Sequence, residues 1–105
     1  MQEITVTELA ALGLDKTIID VREPEEHAQG VAPGVTLLPM SQFMEREAEL
    51  PEEGPLYIIC AAGGRSARVV AYLEQRGIEA VNVLGGMGAW SQAGLPVAAG
   101  PGGAE

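Results

Sequence analysis

A chain of 105 residues, 47% hydrophobic and 20% charged, has the composition of one globular domain with a core large enough to fold unaided. Its formal charge of −9, six Lys and Arg against fifteen Asp and Glu, argues against nucleic acid and anionic membranes, which are held through clustered cations. No apolar run approaches the roughly 20 residues of a membrane span, MQEITVTEL lacks the basic and apolar regions of a signal peptide, and one cysteine permits no internal disulfide, so the expected location is cytoplasmic.

In chain order, ITV (4–6) predicts a first strand, with Thr7 as N-cap of a short helix TELAAL. TIIDV (17–21) is a β-branched run suited to a strand buried on both faces. It stops at Arg22, Glu23 and Pro24, which lead into a second short helix ending near Gly30. VTLLPM (35–40) predicts a third strand, and Ser41 is placed to cap a helix running to Leu50, before the breakers Pro51, Gly54 and Pro55. PLYIIC (55–60) predicts a fourth strand, RSARVVAYLEQR (65–76) a helix closed by Gly77, AVNVL (80–84) a fifth strand, and GGMGAWSQAG a last helix. Residues 1–97 form one domain in this reading, and the glycine-rich 98–105 a flexible tail.

Strands separated by short helices predict an open, mainly parallel five-stranded α/β sheet with helices on both faces. The acidic runs EPEEH (23–27) and EREAELPEE (45–53) are assigned to solvated helix faces, and His27 to a solvated or packing role. Neither ligand-spaced Cys and His nor a cation-binding carboxylate loop is present, so no metal and no cofactor is expected.

Ligands of such sheets bind beyond the carboxyl ends of strands, which is where CAAGGRS (60–66) falls. A glycine-containing loop between strand and helix can turn several N–H groups toward one point, and Gly63 and Gly64 permit the φ angles of such a curl. Donors converging on Cys60 would lower its pKa and favour the nucleophilic thiolate, with Arg65 adding fixed charge and Ser66 either capping the helix or bonding the anion. A buried, inert strand-end cysteine is the competing reading, but it requires no glycines, arginine and helix start behind it.

The pattern resembles the rhodanese (sulfurtransferase) family in two places: IDVREPEEHAQGVAPGV (19–35), like its Asp-Val-Arg strand end and Gly-x-x-Pro-Gly turn, and YIICAAGGRSARVVAYLEQRGIEAVNVLGGMGAW (57–90), like its active-site loop, helix and closing Gly-Gly-x-x-x-Trp element. The resemblance implies a double displacement in which Cys60 takes the sulfane sulfur of a small anionic donor such as thiosulfate and passes it to cyanide or a thiol, with a sulfur-relay protein as an expected partner. Ala61, Ala62, Gly63, Gly64, Arg65 and Ser66 would then bind the substrate, and Asp20 and Arg22 would support the site. Arg65 either faces the anion or pairs with an acid such as Glu74 or Glu79.

Four residues separate Cys60 from Arg65, the shorter spacing of the sulfurtransferases; phosphatase and arsenate reductase relatives carry one more. Ala61 and Ala62 stand where many thiosulfate-using members carry charge, and Val31 replaces the usual His of the turn. GGMG (85–88) is read as a packed turn that brings Trp90 near the rim of the site. A non-catalytic binding module of the same fold is the alternative to an enzyme.

Overall fold

The computed structural model of the protein describes residues 1–13, 15–51 and 53–98. Strands β1 (Gln2–Ile4), β2 (Thr17–Asp20), β3 (Thr36–Leu37), β4 (Leu56–Ile59) and β5 (Ala80–Val83) form one sheet in the order β1-β5-β4-β2-β3, with every neighbouring pair parallel. Five helices accompany them: α1 (Val6–Ala11), α2 (Pro24–His27), α3 (Phe43–Arg46), α4 (Gly64–Gln75) and α5 (Gly86–Gln92). Among the described residues no helix is long and apolar enough to cross a membrane.

Alternation of side chains along the strands builds two cores, one on each face of the sheet. Leu56, Ile58 and Cys60 point toward Phe43, Val69, Val70 and Leu73 of α3 and α4. Tyr57, Ile59, Val81 and Val83 point the other way, toward Val6, Leu9, Met87 and Trp90 of α1 and α5. By the same period of two, Asn82 stands on the α4 side of β5, between residues that are otherwise apolar.

Three local expectations are corrected. The N-cap of α1 is Thr5, not Thr7, because Thr5 and Glu8 form a reciprocal capping box: Glu8 N donates to Thr5 Oγ1 at 3.1 Å and Thr5 N to Glu8 Oε1 at 3.0 Å. Strand β3 spans two residues rather than six, since it lies at the sheet edge and Pro39 has no N–H for the ladder. Residues 40–49 wind as a 3-10 turn, one α turn and another 3-10 turn instead of one helix capped by Ser41. Within those three turns only Phe43 is buried, too little for a continuous apolar stripe, and Ser41 donates its hydroxyl to Glu23 at 2.7 Å. Ala98 forms an antiparallel bridge with Val31; residues 99–105 of the expected tail lie outside the described residues.

At the carboxyl end of β2 the buried carboxylate of Asp20 accepts hydrogen bonds from Arg22 N at 3.0 Å, Arg22 Nη2 at 2.8 Å and His27 Nδ1 at 2.8 Å. Arg22 in turn donates to the carbonyls of Glu26 at 3.1 Å and Gly30 at 2.8 Å, which ties α2 and the following turn to the sheet. His27 therefore packs rather than faces solvent, with 3% exposure. Removing the carboxylate strands a buried guanidinium. Asp20→Ala should lower the urea-unfolding free energy by about 3–5 kcal/mol, the range for breaking a buried ion pair on one side.

Candidate active site

Cys60 follows β4 directly, so the strand fixes its position, and the residue is only 1% exposed. The chain then curls through Ala61, Ala62 and Gly63 into α4. Gly63 holds φ +104°, a left-handed state disfavoured for side-chain-bearing residues, and a Cβ there would also press on Gly85 N at 3.3 Å. The curl turns donors onto one atom. Gly63 N donates to Cys60 Sγ at 3.0 Å, Ser66 N at 3.4 Å, and the Ser66 hydroxyl lies 3.3 Å from it.

Turning N–H groups inward leaves carbonyls pointing outward, and these are satisfied by the start of α5. Met87 N donates to Cys60 O at 2.8 Å and Gly88 N to Ala61 O at 2.9 Å. The approach is so close that a Cβ on Gly86, whose φ is +54°, would lie 2.2 Å from the Cys60 carbonyl oxygen. Gly86 therefore acts on the cysteine loop although it is 26 residues away in sequence, and GGMG is packed as expected but forms the N-cap and first residues of α5 rather than a separate turn. Trp90 is not at a rim: it is 4% exposed in the α1/α5 core, its indole N–H donating to Pro96 O at 2.7 Å.

The Cys60 thiol is the balance of opposing effects. Burial pushes its pKa up; the Ser66 hydroxyl and the N–H groups of Ser66, Gly63 and Ala62 pull it down and prevail, leaving it below the ordinary thiol value. The thiolate is thus stabilised mainly by neutral dipoles.

Arg65 turns neither to Glu74 nor to Glu79. Its guanidinium binds Glu26 of α2 through two parallel bonds of 2.7 and 2.8 Å. The Arg65 bonds first of all, opposed by partial burial and helped by the Glu23 N–H, hold the Glu26 carboxyl down at about 2. The acidic run 23–27 is accordingly not a plain solvated face. Glu26 grips the cysteine loop, Glu23 binds Ser41, and His27 binds Asp20. Asp20 and Arg22 do not reach Cys60 by any described hydrogen bond; they hold α2, which holds Arg65.

Two residues escaped the reading of the sequence. Glu26 was hidden among the three acids of the run 23–27, and its partner lies 39 residues away. Asn82 accepts the Ser66 hydroxyl at 2.6 Å from within β5; the available signal was one polar residue inside the apolar run AVNVL.

Residues 5–93 match the rhodanese-like domain family. The chain belongs to that family. The protein named "Sulfurtransferase" of Allochromatium vinosum is 41% identical over 86 residues, 81% of this chain and 80% of that one. Among solved structures, a rhodanese-related protein of Thermoplasma volcanium superimposes with a TM-score of 0.89 at 34% identity, covering 93% of this chain and 98% of its own. A rhodanese-like domain protein of Staphylococcus aureus does so with a TM-score of 0.81 at 45% identity, covering 86% and 91%.

The rhodanese-like loop makes two predictions. Ser66→Ala removes a donor to the thiolate while leaving the backbone, so the pH midpoint for alkylation of Cys60 by iodoacetamide should rise by about one unit, the worth of one hydrogen bond to a charged group. Glu26→Gln should cost about 1 kcal/mol in urea unfolding at pH 7, a small figure because both partners are about a third exposed. The Glu26 pKa is depressed by folding, so that difference should be full above pH 4.5 and vanish as pH falls toward 2.

Proposed function

We propose that the protein is a sulfurtransferase that carries a single sulfur atom as a persulfide on Cys60. The observation that carries this reading is the convergence of the Gly63 and Ser66 N–H groups and the Ser66 hydroxyl on one strand-end sulfur. Such a cradle favours the thiolate, the form that attacks, and it offers the same donors to an anionic terminal sulfur added to it. The sulfurtransferase name of the Allochromatium relative supports the same chemistry.

In the first step the Cys60 thiolate attacks the outer sulfur of a donor R–S–S⁻. A sulfur–sulfur bond to Cys60 forms as the bond to R–S breaks, and R–S⁻ leaves with the electron pair. In the second step an acceptor thiolate, or cyanide, attacks the outer sulfur of the Cys60 persulfide and regenerates the Cys60 thiolate. Neither step needs a general base at the site once the thiol is ionised.

The donor best matched to this loop is a thiol persulfide rather than thiosulfate. Ala61 and Ala62 bring no charge to the loop, and the Arg65 guanidinium is engaged on Glu26, so the loop 60–66 itself holds no unengaged cation to clamp a dianion. A body of net charge −9 repels a dianion further, over a screening length of about 8 Å at physiological salt. A non-catalytic module has less support because it has no need of the cradled cysteine. A phosphatase or arsenate reductase has less because only four residues separate Cys60 from Arg65.

Intact mass after incubation with glutathione persulfide should show the gain of one sulfur atom, reversed by cyanide and absent in Cys60→Ser. Thiosulfate should load the protein far more slowly, and faster as salt is added from low ionic strength. No adduct from either donor would return the protein to the binding-module class.

A further inference from the structure

Asn82 is the chain's single asparagine, 3% exposed in a strand whose other members are Ala80, Val81 and Val83. A strand buried on both faces of a parallel sheet is ordinarily apolar throughout, and a buried carboxamide is costly unless it is bonded. Among the described residues its side chain has one hydrogen-bond partner, the Ser66 hydroxyl at 2.6 Å. Ser66, itself fully buried, is also 3.3 Å from Cys60 Sγ.

A hydroxyl has one proton, and here two neighbours claim it. When Ser66 donates to Asn82 Oδ1, it can only accept from the sulfur, which requires Cys60 to be a protonated thiol. When Cys60 is a thiolate the proton of Ser66 must turn to the sulfur. Asn82 Oδ1 would then face the bare oxygen of Ser66, acceptor against acceptor at 2.6 Å, unless the carboxamide turns over and presents Nδ2–H instead. Asparagine permits this because the two ends of its amide have nearly the same shape and opposite hydrogen-bonding character. Leucine offers neither group and aspartate only the acceptor.

We propose that Asn82 is a positioning residue that directs the Ser66 proton, its carboxamide accepting from Ser66 while Cys60 is a thiol and turning over to donate to Ser66 when Cys60 ionises. The only covalent bond that breaks is the S–H of Cys60. The thiol proton leaves to solvent, the Ser66 hydroxyl rotates from Asn82 to the sulfur, and the amide follows. The apolar neighbours of Asn82 offer no competing side-chain partner to hold the amide in one orientation. The inference rests on the reading of Cys60 as the nucleophile, but its test does not depend on sulfur transfer.

Alkylation of Cys60 by iodoacetamide, followed by mass across pH, reads the thiol midpoint directly in wild type, Asn82→Leu, Ser66→Ala and the double variant. Asn82→Leu should slow alkylation at pH 7 by about three- to tenfold, as expected for a weakened hydrogen bond to an anion, with the midpoint displaced upward. In the Ser66→Ala background the same change should have no further effect, because Asn82 acts only through Ser66. A folded Asn82→Leu protein with the wild-type profile, or full additivity of the two substitutions, would overturn the proposal. If Asn82→Leu fails to fold, the wild-type protein still decides. With selectively labelled asparagine, the side-chain amide resonances should shift with the Cys60 midpoint, and resonances that stay unchanged through it would sink the idea. Failure of persulfide loading with these shifts intact would instead count against the sulfurtransferase reading alone.

Discussion

A loop that aims its N–H groups at one atom must turn its carbonyls away from it, and those carbonyls need partners before the loop can hold its shape. Here the partners come from another element altogether. Met87 N and Gly88 N, at the start of α5, donate to the Cys60 and Ala61 carbonyls in hydrogen bonds of 2.8 and 2.9 Å. The contact works only because residue 86 is glycine, since any Cβ there would occupy the space of the Cys60 oxygen. The cradle around the sulfur is therefore a property of two strand ends placed side by side, β4 and β5, rather than of the heptapeptide CAAGGRS alone.

The other side of the loop is braced by charge. Buried Asp20 fixes Arg22, Arg22 fixes the carbonyl of Glu26, and the Glu26 carboxylate fixes Arg65 at the first turn of α4. The cation closest in sequence to the cysteine is thereby used for shape, so the sulfur is left to neutral dipoles whose strength comes from their convergence and from burial.

Much of the fold was legible because local and global signals agreed. The apolar, β-branched runs at 17–21, 55–60 and 80–84 could be satisfied only in a covered parallel sheet, and each became a strand within a residue or two of its expected ends. Gly77 at the end of α4 takes the left-handed φ of +77° that its position implied. Where the reading missed, a tertiary partner had overridden a local signal. Thr5 displaced Thr7 through its box with Glu8, Ser41 bonded Glu23 instead of capping a helix, and Trp90 turned into the core.

The succession of strands and helices along the chain, the place of Cys60 at a strand end and the glycine-bearing loop behind it can be read from the residues alone, because these depend on periodicity and on backbone freedom within a few residues. The residues also carry the two signatures of the rhodanese-like family. Which acid holds Arg65, why residue 86 must be glycine and how Asn82 reaches Ser66 behind the sulfur emerge only once the sheet is assembled. Those partners lie 16 to 39 residues apart in the chain, and no local pattern encodes which distant side chain a sheet will bring within hydrogen-bonding reach.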